Sequence, residues 1–255
     1  MIILKKIFWL FFLIVCCFFS LQSAYALDSN IENQYLLTLH KGNVGSKTVV
    51  AKKITQSFIV NDEIFKEVER QLLMNYNNTS NHNQVDQMAW FCKVLASSGQ
   101  SKYLKSVQQV AQNADNDKLQ RYAKQSISLF SFHAKRNSIL SSAREYVDKG
   151  FDVNSSQLAV LLKSDDYNLK RDATKKIIRA DYVAPRLFDI VEQELIMGMK
   201  NDNSGKSLNI DTMSWMCKAL SASGDKKYEQ TLQMVVKNTS SPKLQRNAEN
   251  ALGNY

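Results

Sequence analysis

The residues able to do chemistry are few and scattered. The three histidines, His40, His82 and His133, fall in different segments, with no spacing that would bring two of them to one metal ion. No HExxH, no GxSxG and no phosphate-cradling glycine loop occurs. Cys92 and Cys217 have no histidine near them in sequence to take up a proton. Glu67 and Glu69 recur as Glu192 and Glu194. Two residues apart on a helix, such carboxylates face different directions, so spacing alone makes no acid–base pair of them. Asp86 and Asp211 fall in a first helical turn, where a carboxylate complements the helix dipole. These patterns predict a protein that is not an enzyme and uses no metal and no cofactor.

What remains suits binding. Trp90 lies roughly 160° around its helix from the Met88–Cys92–Leu95 stripe, with Val94 on its own side. Trp215 and Ala219 repeat the arrangement. Such a tryptophan is either an exposed aromatic anchor for a partner or part of an inner helix that is apolar all round because its neighbours cover it. Lys52-Lys53 and Lys175-Lys176 also recur, with Lys170 and Arg171 one turn before the second pair. They make either a basic strip for acidic peptides or polyanions, or a solvated helix face.

The elements that carry these residues come from a duplication. Asp86-Gln-Met-Ala-Trp90-Phe-Cys92-Lys-Val-Leu95 returns as Asp211-Thr-Met-Ser-Trp215-Met-Cys217-Lys-Ala-Leu220. From Asp86 to Ile127, about 18 of 42 positions match their counterparts 125 residues on. Upstream the offset is 123, aligning Lys52-Lys53-Ile54 with Lys175-Lys176-Ile177 and Phe65, Val68, Glu69 and Leu72 with Phe188, Val191, Glu192 and Leu195. The difference falls in two polar stretches, Asn75 to Gln84 and Gly198 to Asn209, which are therefore loops.

Each copy reads as six helices. The first has them near 33–40, 46–57, 62–75, 84–97, 101–113 and 116–132; the second near 155–163, 168–179, 185–199, 209–222, 225–238 and 241–253. A further helix near 136–149 joins the copies. Met88, Phe91, Cys92 and Leu95 occupy i, i+3, i+4 and i+7, one face of a helix, as do Met213, Met216, Cys217 and Leu220. Gly99 and Gly224 sit where a helix must end in a left-handed conformation. Ser101 and Asp225 are placed to cap the helices that follow. Pro185 and Pro242 suit helix starts. With 2 prolines and 8 glycines in 255 residues, a turn-rich β-sandwich or barrel is excluded. Cys92 and Cys217 belong to the apolar stripes and are expected in the core rather than in a bond to each other.

Three of these segments share a pattern: a polar turn, an arginine, an alanine two residues later, and an aliphatic residue four beyond. They are Asp165-Asp-Tyr-Asn-Leu-Lys170-Arg171-Asp-Ala173-Thr-Lys-Lys-Ile177, Asp115-Asn-Asp-Lys-Leu-Gln-Arg121-Tyr-Ala123-Lys-Gln-Ser-Ile127 and Ser241-Pro-Lys-Leu-Gln-Arg246-Asn-Ala248-Glu-Asn-Ala-Leu252. Each resembles the turn and second helix of a HEAT repeat, and a pair length of about 42 residues fits the HEAT and armadillo range. The resemblance implies an all-α solenoid of about six antiparallel helix pairs, made from two tandem three-pair units, whose inner helices bind a protein or peptide.

The first 26 residues stand apart. Lys5 and Lys6 precede an apolar run from Ile7 to Phe19, and Ala24-Tyr25-Ala26 supplies a cleavage site before Leu27. This reads as a secretory signal of bacterial type, too short to span a membrane. The expected organisation is a signal over 1–26, a first unit over 27–135, a linking helix over 136–150 and a second unit over 151–255. No transmembrane segment remains after cleavage, and the product is periplasmic or secreted. The formal charge is +9. Loss of Lys5 and Lys6 takes it to +7. The excess is spread out and compatible with an anionic surface or polymer as the alternative partner; nothing specifies a nucleic acid.

Overall fold

A computed structural model describes residues 30–78, 80–180, 182–200 and 206–255. The expected signal over 1–26 lies outside the described residues. The fold is all-α and of the helical-repeat type, and among the described residues there is no strand. The chain packs as two compact units, one ending at Asn137 and one running from Ser138 to Tyr255.

In the first unit, α1 covers residues 30–41. It is followed by α2 (Val44–Gln56), α3 (Asp62–Asn75), α4 (His82–Ser97), α5 (Ser101–Asn113), α6 (Asp117–Ile127) and the start of α7 (Phe130–Leu140). Helices α2, α4 and α6 lie side by side in one layer, and α3 and α5 form the layer beneath. In the second unit a short α8 (Arg144–Asp148) precedes α9 (Val153–Lys163), α10 (Tyr167–Arg179), α11 (Arg186–Lys200) and α12 (Ser207–Ala222). A 3₁₀ turn, Lys226–Tyr228, then leads into α13 (Glu229–Asn238) and α14 (Pro242–Leu252). Here α10, α12 and α14 form one layer and α9, α11 and α13 the other.

Local chemistry sets the helix starts. The side chains of Asn43, Asn61, Asn81, Asn116, Asp152, Asp166 and Ser241 each accept a backbone N–H from the first turn of the helix they precede. Each cap contributes about 1 kcal/mol. Pro242 opens α14 at the position where its missing N–H costs nothing. Gly99 and Gly224 close α4 and α12 with φ of 65° and 69°, the left-handed ending that favours glycine. Asp225 caps the turn after Gly224, but Ser101 does not cap α5. The flanking position is Gln100, whose N–H donates to Ser98 Oγ instead.

α4 explains the core. It touches α2, α3, α5 and α6, so it must be apolar on several sides. Met88, Phe91, Cys92 and Leu95 are buried as the stripe requires, and Ala89 and Val94 are buried on other sides. Met213, Met216, Cys217, Ala219 and Leu220 do the same in α12. Both cysteines are free and fully buried, and burial pushes each thiol up to about 12.

The join between the copies differs from expectation. The segment expected as one helix over 116–132 breaks after Ile127, and a separate α7 begins at Phe130. The helix expected over 136–149 is divided between α7 and α8. The break frees α7 to reach back to the end of α4. There Arg136 Nη2 donates to the Ser97 carbonyl at 2.8 Å and Asn137 Nδ2 to the Ser98 carbonyl at 2.7 Å. These are carbonyls that the end of a helix leaves without a partner.

Candidate functional site

The duplicated polar contacts are mostly fastenings. Lys118 Nζ meets Asp86 Oδ1 at 2.8 Å, and Lys243 Nζ meets Asp211 Oδ1 at 2.8 Å. Each pair ties the third helix of its layer to the middle one. Ser106 donates to Glu69 and Thr231 to Glu192, joining α5 to α3 and α13 to α11. The hydroxyl of Tyr103 donates to Asp62 at 2.8 Å, and that of Tyr228 to Asp189 at 2.8 Å, although Asp189 lies one turn further into its helix. The Lys102 ammonium and the Tyr103 hydroxyl hold the Asp62 carboxyl down to about 2.

These contacts correct one recurrence. Glu69 corresponds in role to Glu192, and Gln71 corresponds to Glu194. Lys47 Nζ donates to Gln71 Oε1 at 2.9 Å, whereas Lys170 Nζ donates to the buried Glu194. Lys163 adds a second contact to Glu194 at 3.1 Å. In the first unit the buried carboxylate stands one turn earlier, at Glu67, which accepts from Arg70 and Gln71. The Arg70 guanidinium is the main reason its carboxyl sits at about 2.

The expected basic strip therefore divides. Lys170 is taken up by Glu194, and Arg171 by Asp211 and Asn168, each at 3.1 Å. Lys53 is exposed and Lys176 half-buried. Lys52 and Lys175 behave differently: each turns its ammonium toward a tryptophan.

That arrangement is the candidate site. Trp90 and Trp215 are half-buried, on the side of α4 and α12 away from the stripes. They are neither sealed in the core nor free of it. Lys52 Nζ lies 5.5 Å and Lys93 Nζ 4.2 Å from the centre of the Trp90 ring. For Trp215 the distances are 4.8 Å to Lys175 and 4.7 Å to Lys218. Each layer thus sets one lysine from its first helix and one from its middle helix around the same indole. An ammonium over an aromatic face contributes about 0.5–1 kcal/mol where water has access. Among the described residues, none of these four lysines is paired with a carboxylate. In the first unit Lys93 is also 5.2 Å from the Tyr122 ring of α6, while Asn247 stands at that position in α14.

Sequence reasoning missed Lys93 and Lys218. The signal was present, since both lie three residues after the tryptophan inside the matched segment, within reach of its ring on a helix. Among the described residues, no group of three or more His, Cys, Asp or Glu side chains could hold a metal ion. No described helix is long and apolar enough to cross a membrane. No family model matches this chain, and none of the curated proteins compared with it matches either.

Proposed function

We propose that the chain is a non-enzymatic, HEAT-like binding module, exported to the periplasm or beyond, that holds a protein or peptide partner. Its binding faces are the α2–α4–α6 and α10–α12–α14 layers. One observation carries the reading: each unit keeps a tryptophan half-exposed between two lysines that, among the described residues, have no carboxylate partner. A large aromatic ring left partly in water gives up burial that its helix gains at Val94 and Ala89, and the lysines spend their charge on no internal pair. Tryptophan is enriched among interface anchors. The apolar run and the Ala24-Tyr25-Ala26 site support export.

The test is capture followed by titration. The wild-type chain and a Trp90→Ala/Trp215→Ala variant are immobilised and exposed to proteins of the cell that makes the chain. A protein held only by the wild type is purified and titrated against both forms, with unfolding curves to establish that the variant is folded. Loss of at least about thirtyfold in affinity supports the reading, since anchors of this kind contribute about 2 kcal/mol or more. Equal affinity for both folded forms refutes it. The alternative partner, an anionic polymer or lipid surface, is favoured by the four unpaired lysines alone. It would bind with a steep loss of affinity as salt rises.

A further inference from the structure

We infer that each lysine-flanked indole is a subsite for one carboxylate of an extended acidic peptide, which lays a neighbouring apolar side chain on the ring. The inference rests on the binding reading above and names the chemistry of its partner. Among the described residues Lys53, Lys105 and Lys124 also reach no carboxylate, so what sets these four lysines apart is the tryptophan ring each one faces. Lys102, Lys118, Lys163, Lys170, Lys227 and Lys243 each reach a carboxylate within their unit. Lys52, Lys93, Lys175 and Lys218 reach a tryptophan ring instead. Asp86 and Asp211, one helical turn before each tryptophan, would repel an incoming anion. Lys118 neutralises the first; Lys243 and Arg171 neutralise the second. Each face therefore presents two ammoniums with an aromatic surface between them, although in the second unit Asp172 stands one helical turn before Lys175 and weakens the attraction for an anion there.

This mixture fits a peptide better than a mineral polyanion such as polyphosphate. A chain of phosphates gains from the ammoniums but has nothing apolar to set on the indole. A glutamate or aspartate beside a phenylalanine or leucine uses both. The carboxylate also draws the ammoniums into charge-assisted hydrogen bonds, which are stronger than neutral ones. The two subsites are unequal. Tyr122 widens the aromatic surface at Trp90, and Asn247 leaves Trp215 without that extension.

The test reads each indole separately in the full chain. Trp9→Phe/Trp215→Phe leaves only Trp90 to fluoresce, and Trp9→Phe/Trp90→Phe leaves only Trp215. The probes are a blocked decapeptide of alternating glutamate and phenylalanine, the same peptide with glutamine for glutamate, and inorganic polyphosphate. The acidic peptide should shift the emission of both forms saturably, and more tightly at Trp90. The glutamine peptide should bind about tenfold more weakly or less, the difference expected when a charge partner is removed. Lys52→Gln/Lys93→Gln should weaken binding at Trp90 about tenfold by the same argument and leave Trp215 unchanged. Equal binding of the glutamine peptide overturns carboxylate recognition while leaving the aromatic binding face in place. Binding of polyphosphate with none of the acidic peptide overturns the inference in favour of a polyanion face. Failure of every probe, with a captured protein still dependent on Trp90 and Trp215, overturns the inference alone. Failure of that dependence removes the binding reading itself.

Discussion

Gly99 lies so close to Ala134 that a β-carbon built on it would come within 2.5 Å of the Ala134 backbone nitrogen. The contact is where α7 crosses the end of α4. At Gly224, which ends α12 in the same left-handed way, the same β-carbon would meet nothing within 4 Å. The two glycines therefore separate two requirements that usually coincide. Gly224→Ala tests the cost of a left-handed backbone alone, about 1 kcal/mol. Gly99→Ala adds a collision with backbone that cannot rotate away, and should cost about 3 kcal/mol, as overpacking does. Urea unfolding followed by helix signal checks the difference. Equal midpoints for the two variants would mean that α7 does not pack there as described.

That contrast marks the limit of what the sequence made legible. Gly99 and Gly224 read identically in it, as helix endings, because the reason for an ending is local. The packing partner at Gly99 comes from α7, and α7 was the element least visible. Its apolar residues, Phe130, Phe132, Ala134, Ile139 and Leu140, follow no single helical stripe, so periodicity ran the preceding helix through the break at Ser128. Arg136 is buried and donates to the Ser97 carbonyl at the end of α4, a role that its charge and position in sequence do not signal. Elsewhere the stripes of α4 and α12 gave the core directly, because a helix with four neighbours has little freedom in what it can expose. The site was half legible. Lys52, Lys175 and the tryptophans drew notice as repeated residues, but their meeting depends on α2 lying beside α4, which no spacing within one helix encodes. Lys170 and Arg171 were grouped with them by nearness in sequence and are separated from them by Glu194 and Asp211.

Lys170 and Lys47 occupy equivalent places and should respond very differently to loss of charge. Lys170 compensates a buried carboxylate, Glu194, and Lys47 serves the neutral Gln71. Lys170→Met should cost about 3 kcal/mol, the lower end for stranding a buried charge, because Lys163 remains at 3.1 Å. Lys47→Met removes a hydrogen bond to a buried amide and should cost about 1–2 kcal/mol. Lys170→Met/Glu194→Met should recover most of the loss, since an apolar pair needs no counter-charge. Chemical unfolding of the three variants checks the order; a double variant no better than Lys170→Met alone would show that the carboxylate was not the cause.

Glu67 sets an acid limit on the first unit. Its carboxyl lies at about 2 in the folded protein, chiefly through Arg70, against an ordinary value of 4.5. A depressed carboxyl stabilises the fold in its charged form. The contribution is whole above the unfolded value of 4.5 and disappears as pH falls from there toward 2. Stability of the wild type should therefore decline over that window, and Glu67→Gln should show a shallower decline. Melting temperatures measured from neutral pH down to pH 3 check this; parallel curves would exclude Glu67 as a source of the acid sensitivity.

The field around the two indoles gives the most direct test of the site's geometry. Ammoniums at 4.2 and 5.5 Å from Trp90, and at 4.7 and 4.8 Å from Trp215, make each ring a place where small anions gather and small cations do not. Collisional quenching counts such visitors. In a form with Trp9 replaced by phenylalanine, and with each ion's quenching divided by its quenching of free N-acetyltryptophanamide, iodide should quench at least about twofold better than caesium at low ionic strength, since a local positive potential raises the anion concentration. Added sodium chloride should close the gap, because screening shortens the reach of the charges to about 10 Å at 0.1 M. Acrylamide, which is neutral, should quench both rings and respond to none of this, reporting only their half-exposure. Replacing Lys52, Lys93, Lys175 and Lys218 with glutamine should bring iodide and caesium together without changing acrylamide. Equal quenching by the two ions in the unaltered lysine set would mean that the ammoniums do not stand over the rings. The argument for a carboxylate subsite would then lose its footing, while the half-exposed tryptophans would remain.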